Sequence, residues 1–252
     1  LLHKNKQCYP PFCLHYIWII DDISNKNKED ILMKIKKYDL HMHTTYSLCS
    51  SNKPKDLLEI AKKQGLDGIA ITDHNCIKGA QEVKKLNKDK DFEVIIGEEI
   101  KTDYGDLIAL YIKKEIINKD FFKAVEEVKK QGGITIIPHP FRPIPWLKFK
   151  YPIRKLVGKI DAIEVFNSRN IGIANKLAEK SIEGLDFAKV GSSDAHLTFD
   201  IGKGYTLFKG DLREAIKNRT TKAEGTTRLG LISGLISSFN KRILAPIKVK
   251  KL

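Results

Sequence analysis

Short apolar runs, each ending on side chains of the metal-binding type, constrain this chain more than any other feature. Gly68-Ile69-Ala70-Ile71-Thr72 leads into Asp73-His74, and Gly133-Ile134-Thr135-Ile136-Ile137 leads into Pro138-His139-Pro140. Residues 186–191 lead into Ser192-Ser193-Asp194-Ala195-His196, and Tyr38-Asp39-Leu40 leads into His41-Met42-His43. A further run, Phe92-Glu93-Val94-Ile95-Ile96, ends at Gly97-Glu98-Glu99. Five of the seven histidines sit at these ends. Runs of about four to eight apolar residues bounded by turn formers read as buried strands. On an extended strand His41 and His43 share a face, where two imidazoles can grip one cation. A pair of surface histidines would look the same in isolation; the clusters downstream favour the metal.

The segments between the runs read as helices. Pro54 opens one at a tolerated first-turn position, with Leu57, Leu58, Ile60 and Ala61 on one side and Gly65 closing it. Asn118 and Asp120 precede Phe121, Phe122, Val125 and Val128, and Gly132-Gly133 ends that helix. Ala174, Leu177, Ala178 and Ile182 give another helical face, closed by Gly184. Strand-like runs near 38, 69, 94, 107, 135, 162 and 188 thus alternate with helices, which predicts an α/β architecture with a mostly parallel sheet. Residues 105–111 follow their predecessor too closely for a helical crossover and read as an irregular step or a hairpin. Parallel β/α folds gather their active sites at strand C-terminal ends, so the clusters are expected to converge in space.

Asp39-Leu40-His41-Met42-His43-Thr44, Ile71-Thr72-Asp73-His74-Asn75, Gly97-x-Glu99, Pro138-His139-Pro140 and the Gly191 to His196 cluster resemble the ordered motifs of the PHP (polymerase and histidinol phosphatase) family. The resemblance spans about residues 36–210. It implies a distorted (β/α)7 TIM-like barrel with two or three divalent metal ions (Zn, Mn or Fe) at the strand C-terminal ends. Carried over residue by residue, it makes His41, His43, Asp73, His74, Glu99, His139, Asp194 and His196 the metal ligands. Asp194 and His196 are also the candidates for moving a proton. The implied activity is hydrolysis of a phosphate ester by a metal-activated hydroxide, with a small phosphorylated metabolite or a nucleotide as substrate. Mixed imidazole and carboxylate donors suit those ions independently of the resemblance. Adjacent cations acidify a water and neutralise phosphoryl oxygens. Two alternatives are a nuclease or phosphodiesterase acting on short oligonucleotides, and a non-catalytic basic module that binds nucleic acid.

The chain departs from the family pattern in two places. Where many members carry a further histidine or acidic ligand after the first pair, this chain has Leu48 and Cys49. Cys49 is either a thiolate ligand or a buried thiol, the latter being the commoner fate of a cysteine. Where many members place a histidine after the Glu motif, this chain has Asp106, an oxygen ligand or the mark of a weaker third position. Glu98 competes with Glu99 for one slot and is expected to be an outer partner or exposed.

The formal net charge of +14 is concentrated. Residues 142–159 hold six basic side chains and no acidic one, as do residues 225–252. Arg142, close after His139, is expected to clamp phosphate with Lys148 behind it. Trp146, Phe149 and Tyr151 interleave with these bases, a mixture that stacks nucleobases or forms a lid. Cys8, Cys13, Cys49 and Cys76 show no disulfide or zinc-knuckle spacing, which points to a reducing, cytoplasmic setting. No apolar run reaches the roughly 18 residues of a membrane span. Residues 1–32 lack periodicity and precede Met33, the first methionine; they read as a poorly structured extension that is not native. Residues 33–252 then form a single catalytic domain, with 229–239 as a helix packed on the barrel.

Overall fold

The structure, a computed structural model, describes residues 34–144, 148–227 and 236. The extension 1–32, Met33, Trp146 and all of the 229–239 helix except Ile236 lie outside the described residues.

Strands β1 (Ile35–Met42), β2 (Gly68–Ile71), β3 (Glu93–Thr102), β4 (Gly105–Leu110), β5 (Ile134–Ile137), β6 (Ala162–Asn167) and β7 (Ala188–Ser192) account for all seven runs. Helices α1 (Pro54–Lys63), α2 (Lys78–Leu86), α3 (Phe121–Lys130) and α4 (Ala174–Ser181) alternate with them. Strand β8 (Gly204–Lys209), helix α5 (Leu212–Lys217) and strand β9 (Lys222–Gly225) follow. The sheet order is β7-β6-β5-β4-β3-β2-β1-β8-β9. Pairing is parallel from β1 to β3 and from β5 to β7. It is antiparallel on both sides of β4, so residues 105–111 form the hairpin alternative, with Thr102 opposite Gly105 across a two-residue turn.

The sheet curls nearly shut. Met42 bridges to Ala195, and the His43 N–H donates to the Ala195 carbonyl at 3.0 Å. The seven expected strands thus form the barrel wall, while β8 and β9 extend the sheet beyond β1. β9 also lies against β7: a Cβ on Gly191 would stand 3.0 Å from the Glu224 backbone nitrogen. These two strands are an addition to the (β/α)7 expectation. They carry alternating Tyr205, Leu207 and Lys209 rather than a continuous apolar run, as befits an antiparallel margin.

Strand alternation divides the core. Leu40, Ala70, Ile95, Ile108, Ile136 and Val190 form one buried cluster, and Ile69, Ile71 and Val94 join Leu57 and Ala61 of α1 in another. Successive side chains of β2 therefore serve opposite faces. The helix ends follow elementary rules. Asp120 accepts the Lys123 N–H at 2.9 Å as the α3 cap, and Gly65 after α1 adopts φ +68, a conformation that costs other residues a Cβ clash. Phe121 of α3 is fully buried; truncating it to Ala would cost about 3–5 kcal/mol.

Two irregularities aim the site. β1 shifts register between Asp39 and Met42, and β6 between Glu164 and Phe166, both at the ends that carry polar residues. Such bulges turn side chains that a regular strand would direct elsewhere.

Candidate metal centre

The centre begins with His41 and His43, both fully buried. Nδ1 of His41 lies 3.1 Å from Glu164 Oε1, a carboxylate that can only accept. That contact keeps a proton on Nδ1, so the neutral ring carries its lone pair on Nε2. Nδ1 of His43 lies 3.3 Å from Ser47 Oγ, whose own hydroxyl donates to Asp73 Oδ1 at 2.6 Å. His43 is therefore held in the same tautomer. The two Nε2 atoms face each other at 3.2 Å. Glu99 Oε2 stands 3.4 and 3.3 Å from them, and Asp194 Oδ1 stands 3.6 and 3.5 Å away.

With both rings neutral in these tautomers, the two Nε2 lone pairs and the two carboxylate oxygens are all acceptors. Separations of 3.2–3.6 Å are those between the ligands of a single ion bonded at about 2.0–2.2 Å. Imidazole nitrogen with carboxylate oxygen is also the donor set of Zn, Mn and Fe sites. The residues fit a divalent ion.

Further donors adjoin this set. His74 Nδ1 is 3.0 Å from Glu99 Oε2, and His139 Nε2 is 3.2 Å from Glu99 Oε1. Glu99 therefore faces four imidazoles and can bridge ions. Donor atoms of Glu99, Asp106 and His139 lie within 4.8 Å of one another, as do those of His43, His74 and His196, and of His41, His139 and Asp194. Asp106 joins the centre. His139 and Asp194 hold φ of 31° and 55°, left-handed conformations rare outside glycine and common where geometry is imposed at a site.

On the β7 side the carboxylate meets arginines. Arg142 Nη2 donates to Asp194 Oδ2, and Arg169 Nη1 donates to Asp194 Oδ1 at 3.3 Å. Arg169 Nη1 also lies 2.6 Å from His196 Nδ1. Arg142 therefore reaches the centre as expected. Lys148 does not: it is exposed, with Nζ over the Phe141 ring at 5.9 Å. The short 148–150 segment is tied instead to Pro140 and Tyr104 by backbone hydrogen bonds from Phe149 and Lys150.

The electrostatics follow these contacts. Burial pushes the His41 imidazole toward the neutral form, but Asp194, Glu99 and Glu164 outweigh it and hold its pKa well above the usual value. For His74, burial is likewise outweighed, by Glu99 and by hydrogen bonds, raising the pKa to about 10. Burial disfavours the Asp194 carboxylate, yet Arg142, Arg169 and His41 keep its pKa well below the ordinary range. His196 is the opposite case to His41: burial, then Arg169 and His43, drive its pKa well down.

Two sequence expectations come out differently. Asp73 is not brought among the converging donors. Its carboxylate is filled by the Thr44 N–H at 2.8 Å, the Thr44 hydroxyl at 2.6 Å and the Ser47 hydroxyl, so it positions His43 through Ser47. A Cβ on Gly79 would come within 2.1 Å of Asp73 Oδ2, which shows how tightly α2 closes over this loop. Glu98 is fully buried rather than exposed, because alternation turns it away from Glu99 to accept the Ile116 N–H at 2.9 Å. Of the two readings of Cys49, the structure gives the buried thiol, outside the four donor groups.

Sequence reading passed over Glu164, Arg169 and Asn167. Glu164 accepts from His41, from the His139 N–H at 2.7 Å and from Asn167 Nδ2 at 2.9 Å. The signal was a lone carboxylate inside the apolar run Ala162–Asn167, with Arg169 just past its end, where the other strands carry their ligands.

A β/α barrel with polyvalent His, Asp and Glu donors at its strand ends defines a class, and the PHP domain profile matches residues 39–216. The chain belongs to the PHP family. Among curated proteins it is 38% identical over 162 residues to the uncharacterized protein MJ1587 of Methanocaldococcus jannaschii, covering 56% of this chain and 88% of that protein. It is also 38% identical over 180 residues to MJ0417 of the same organism, 68% of this chain and 70% of that protein. A 5'-3' exoribonuclease of Haemophilus influenzae matches at 39% over 69 residues, 27% of this chain and 25% of that protein. Among solved structures, PsfC from Pseudomonas syringae shares the fold with TM-score 0.62 at 18% identity, over 84% of this chain and all 100% of that one. A Bifidobacterium adolescentis protein proposed to be a metal-dependent phosphoesterase gives TM-score 0.54 at 16% identity, over 63% and 87% of the two chains. An amidohydrolase from Chromobacterium violaceum, bound to sulfate, gives 0.53 at 15%, over 75% and 97%.

Proposed function

We propose that this protein is a metal-dependent hydrolase acting on phosphate esters, with a small phosphorylated metabolite or a nucleotide as substrate. The observation that carries the reading is the packing of Glu99 Oε2 and Asp194 Oδ1 against His41 Nε2 and His43 Nε2, beside two arginines. His41, His43 and Glu99 would hold one divalent ion, with Asp194 beside it. Asp106 and His139 with Glu99, and His74 and His196 with His43, would serve a second and a third. Bound there, Zn, Mn or Fe would offset charge on phosphoryl oxygens and acidify water, the main electrostatic needs of ester hydrolysis.

The chain's own groups do the rest. Arg142 and Arg169, with planar guanidinium forks suited to phosphate, bind the ester's anionic end. Asp194 is kept ionised beside them. Burial and Arg169 both oppose protonation of His196, which leaves its imidazole neutral and suited to hold an ion rather than a proton. Among the described residues no helix is long and apolar enough to cross a membrane.

A panel of phosphomonoesters, cyclic dinucleotides and short oligonucleotides, offered to Mn²⁺- or Zn²⁺-loaded protein, tests this. Phosphate or nucleotide release is expected, and its loss in His41→Ala and Asp194→Ala. Activity surviving both changes, or absent from fully metallated protein, would sink it. A second reading, a phosphodiesterase on short oligonucleotides, draws on the basic run 142–159 and on the exoribonuclease similarity over 69 residues. Stepwise mononucleotide release from end-labelled oligoribonucleotides would favour it over the monoesterase.

A further inference from the structure

The β3–β4 hairpin carries a lysine on the face that holds the metal ligands, and strand alternation decides this. Ile95 of β3 and Ile108 of β4 lie in one buried cluster, whereas Ile100 and Leu107 join Phe121 of α3 in another. Ile95, Glu99 and Lys101 therefore share one face of β3, and Ile108 and Asp106 the matching face of β4. The register sets Glu99 opposite Ile108 and Lys101 opposite Asp106. Residues paired in this way hold their side chains on one side of the sheet. That side carries the centre, since donor atoms of Glu99, Asp106 and His139 lie within 4.8 Å of one another. Lys101 stands one pleat beyond Glu99, about 7 Å along the strand. It is exposed where Glu99 is buried.

A second lysine is brought to the same rim. Asn75, the residue after His74, takes a left-handed φ of 49° and donates its N–H to the Glu99 carbonyl at 3.0 Å. Its Oδ1 accepts the Lys101 N–H at 3.2 Å and the Lys119 ammonium. One side chain thus ties both lysines to the strand ends that supply His74 and Glu99. Among the described residues neither ammonium is closed into a salt bridge. The arginines lie on the other side: Arg142 and Arg169 meet Asp194, which is separated from Glu99 by His41 and His43. With arginines and ions taking the reacting phosphate, the two lysines are left to read another charge across the centre.

We propose that Lys101, with Lys119 beside it, binds a second anionic group on the alcohol half of the substrate, a carboxylate or a further phosphate. The proposal rests on the phosphoesterase reading, which puts the reacting phosphate on the arginine side. It deepens that reading by making Lys101 the residue that selects among esters.

Calorimetric titration of the full-length, Mn²⁺-loaded protein with three non-hydrolysable phosphonates tests it. Carboxyethylphosphonate and ethylenebisphosphonate carry a second anion; propylphosphonate, of matching length, does not. At least one of the first two should bind about ten- to hundredfold more tightly than propylphosphonate, the worth of a hydrogen bond between charged groups. The tighter of the two names the second group. Lys101→Met should remove most of that gain, and Lys101→Met with Lys119→Met all of it. Propylphosphonate affinity and metal content should stay unchanged in both variants. Equal affinities in the wild type would overturn the proposal, as would a gain that persists in the double variant because the second anion merely chelates Mn²⁺. So would lost metal, or an equal loss for all three ligands, the marks of a structural role. The two ideas fail separately. A lysine-dependent preference without hydrolysis of any ester leaves the second anion site standing and removes the phosphoesterase; hydrolysis with equal phosphonate affinities does the reverse.

Discussion

The two sides of the centre solve the same electrostatic problem in opposite ways. Around His41 and Glu99, buried carboxylates outnumber cations, and the imidazoles respond by holding protons: His41 is raised well above its usual pKa and His74 to about 10. Around Asp194 and His196, guanidinium groups supply the positive charge, and His196 is driven neutral. The rings of His43 and His196, with centroids 4.3 Å apart, belong to these two regimes. The contrast teaches that the β1 side is compensated by exchangeable protons and the β7 side by fixed arginines. A divalent ion replaces the first kind of charge and works alongside the second.

Substitutions can break or sharpen that contrast. The largest effect belongs to Glu99→Gln, which weakens the carboxylate shared by four imidazoles; turnover of the best ester should fall about 10³-fold or more in steady-state assays. Next comes Glu164→Gln, which no longer fixes the His41 tautomer and should weaken metal binding about 10- to 100-fold by calorimetry. Arg169→Ala touches only the β7 side. It should cost about 10- to 100-fold in kcat/KM, the worth of a charge-assisted hydrogen bond, without weakening metal binding. Acidification probes the β1 side alone. Because His41 and His74 bind protons above their usual range in the metal-free protein, metal uptake must release protons, and affinity should fall as pH drops from about 8 to about 6. The smallest effect, about 1 kcal/mol of stability in denaturant unfolding, is expected for Asp120→Ala, which removes the α3 cap far from either side.

Most of the β1 side was legible in the sequence, and much of the β7 side was not. His41, His43, His74, Glu99 and His139 stand at the ends of apolar runs, and the strand period plus the parallel topology suffices to gather them. Glu164 and Arg169 lack that signature: one is a single carboxylate inside an apolar strand, the other a single arginine in a turn. Their roles depend on bulges and on which loop folds over which, properties of tertiary register rather than of local pattern. Asp73 shows the converse limit. It shares a strand end with His74, yet Thr44 and Ser47 reach it first, a loop geometry that spacing alone does not encode. Helix α2 and strands β8 and β9 were also missed, since Lys78–Leu86 offers only Gly79, Ala80 and Val83 as buried residues and the late strands alternate weakly.

The account's central claim is that His41, His43 and Glu99, beside Asp194, hold a catalytic divalent ion. Metal analysis of the protein after equilibration with Mn²⁺ or Zn²⁺, run beside His41→Ala, tests it most directly. Two or three ions per wild-type chain and at least one fewer in the variant, with hydrolysis lost in parallel, is the predicted result. Equal metal content in the two proteins, or hydrolysis undiminished after the metal is stripped by chelator, would contradict it.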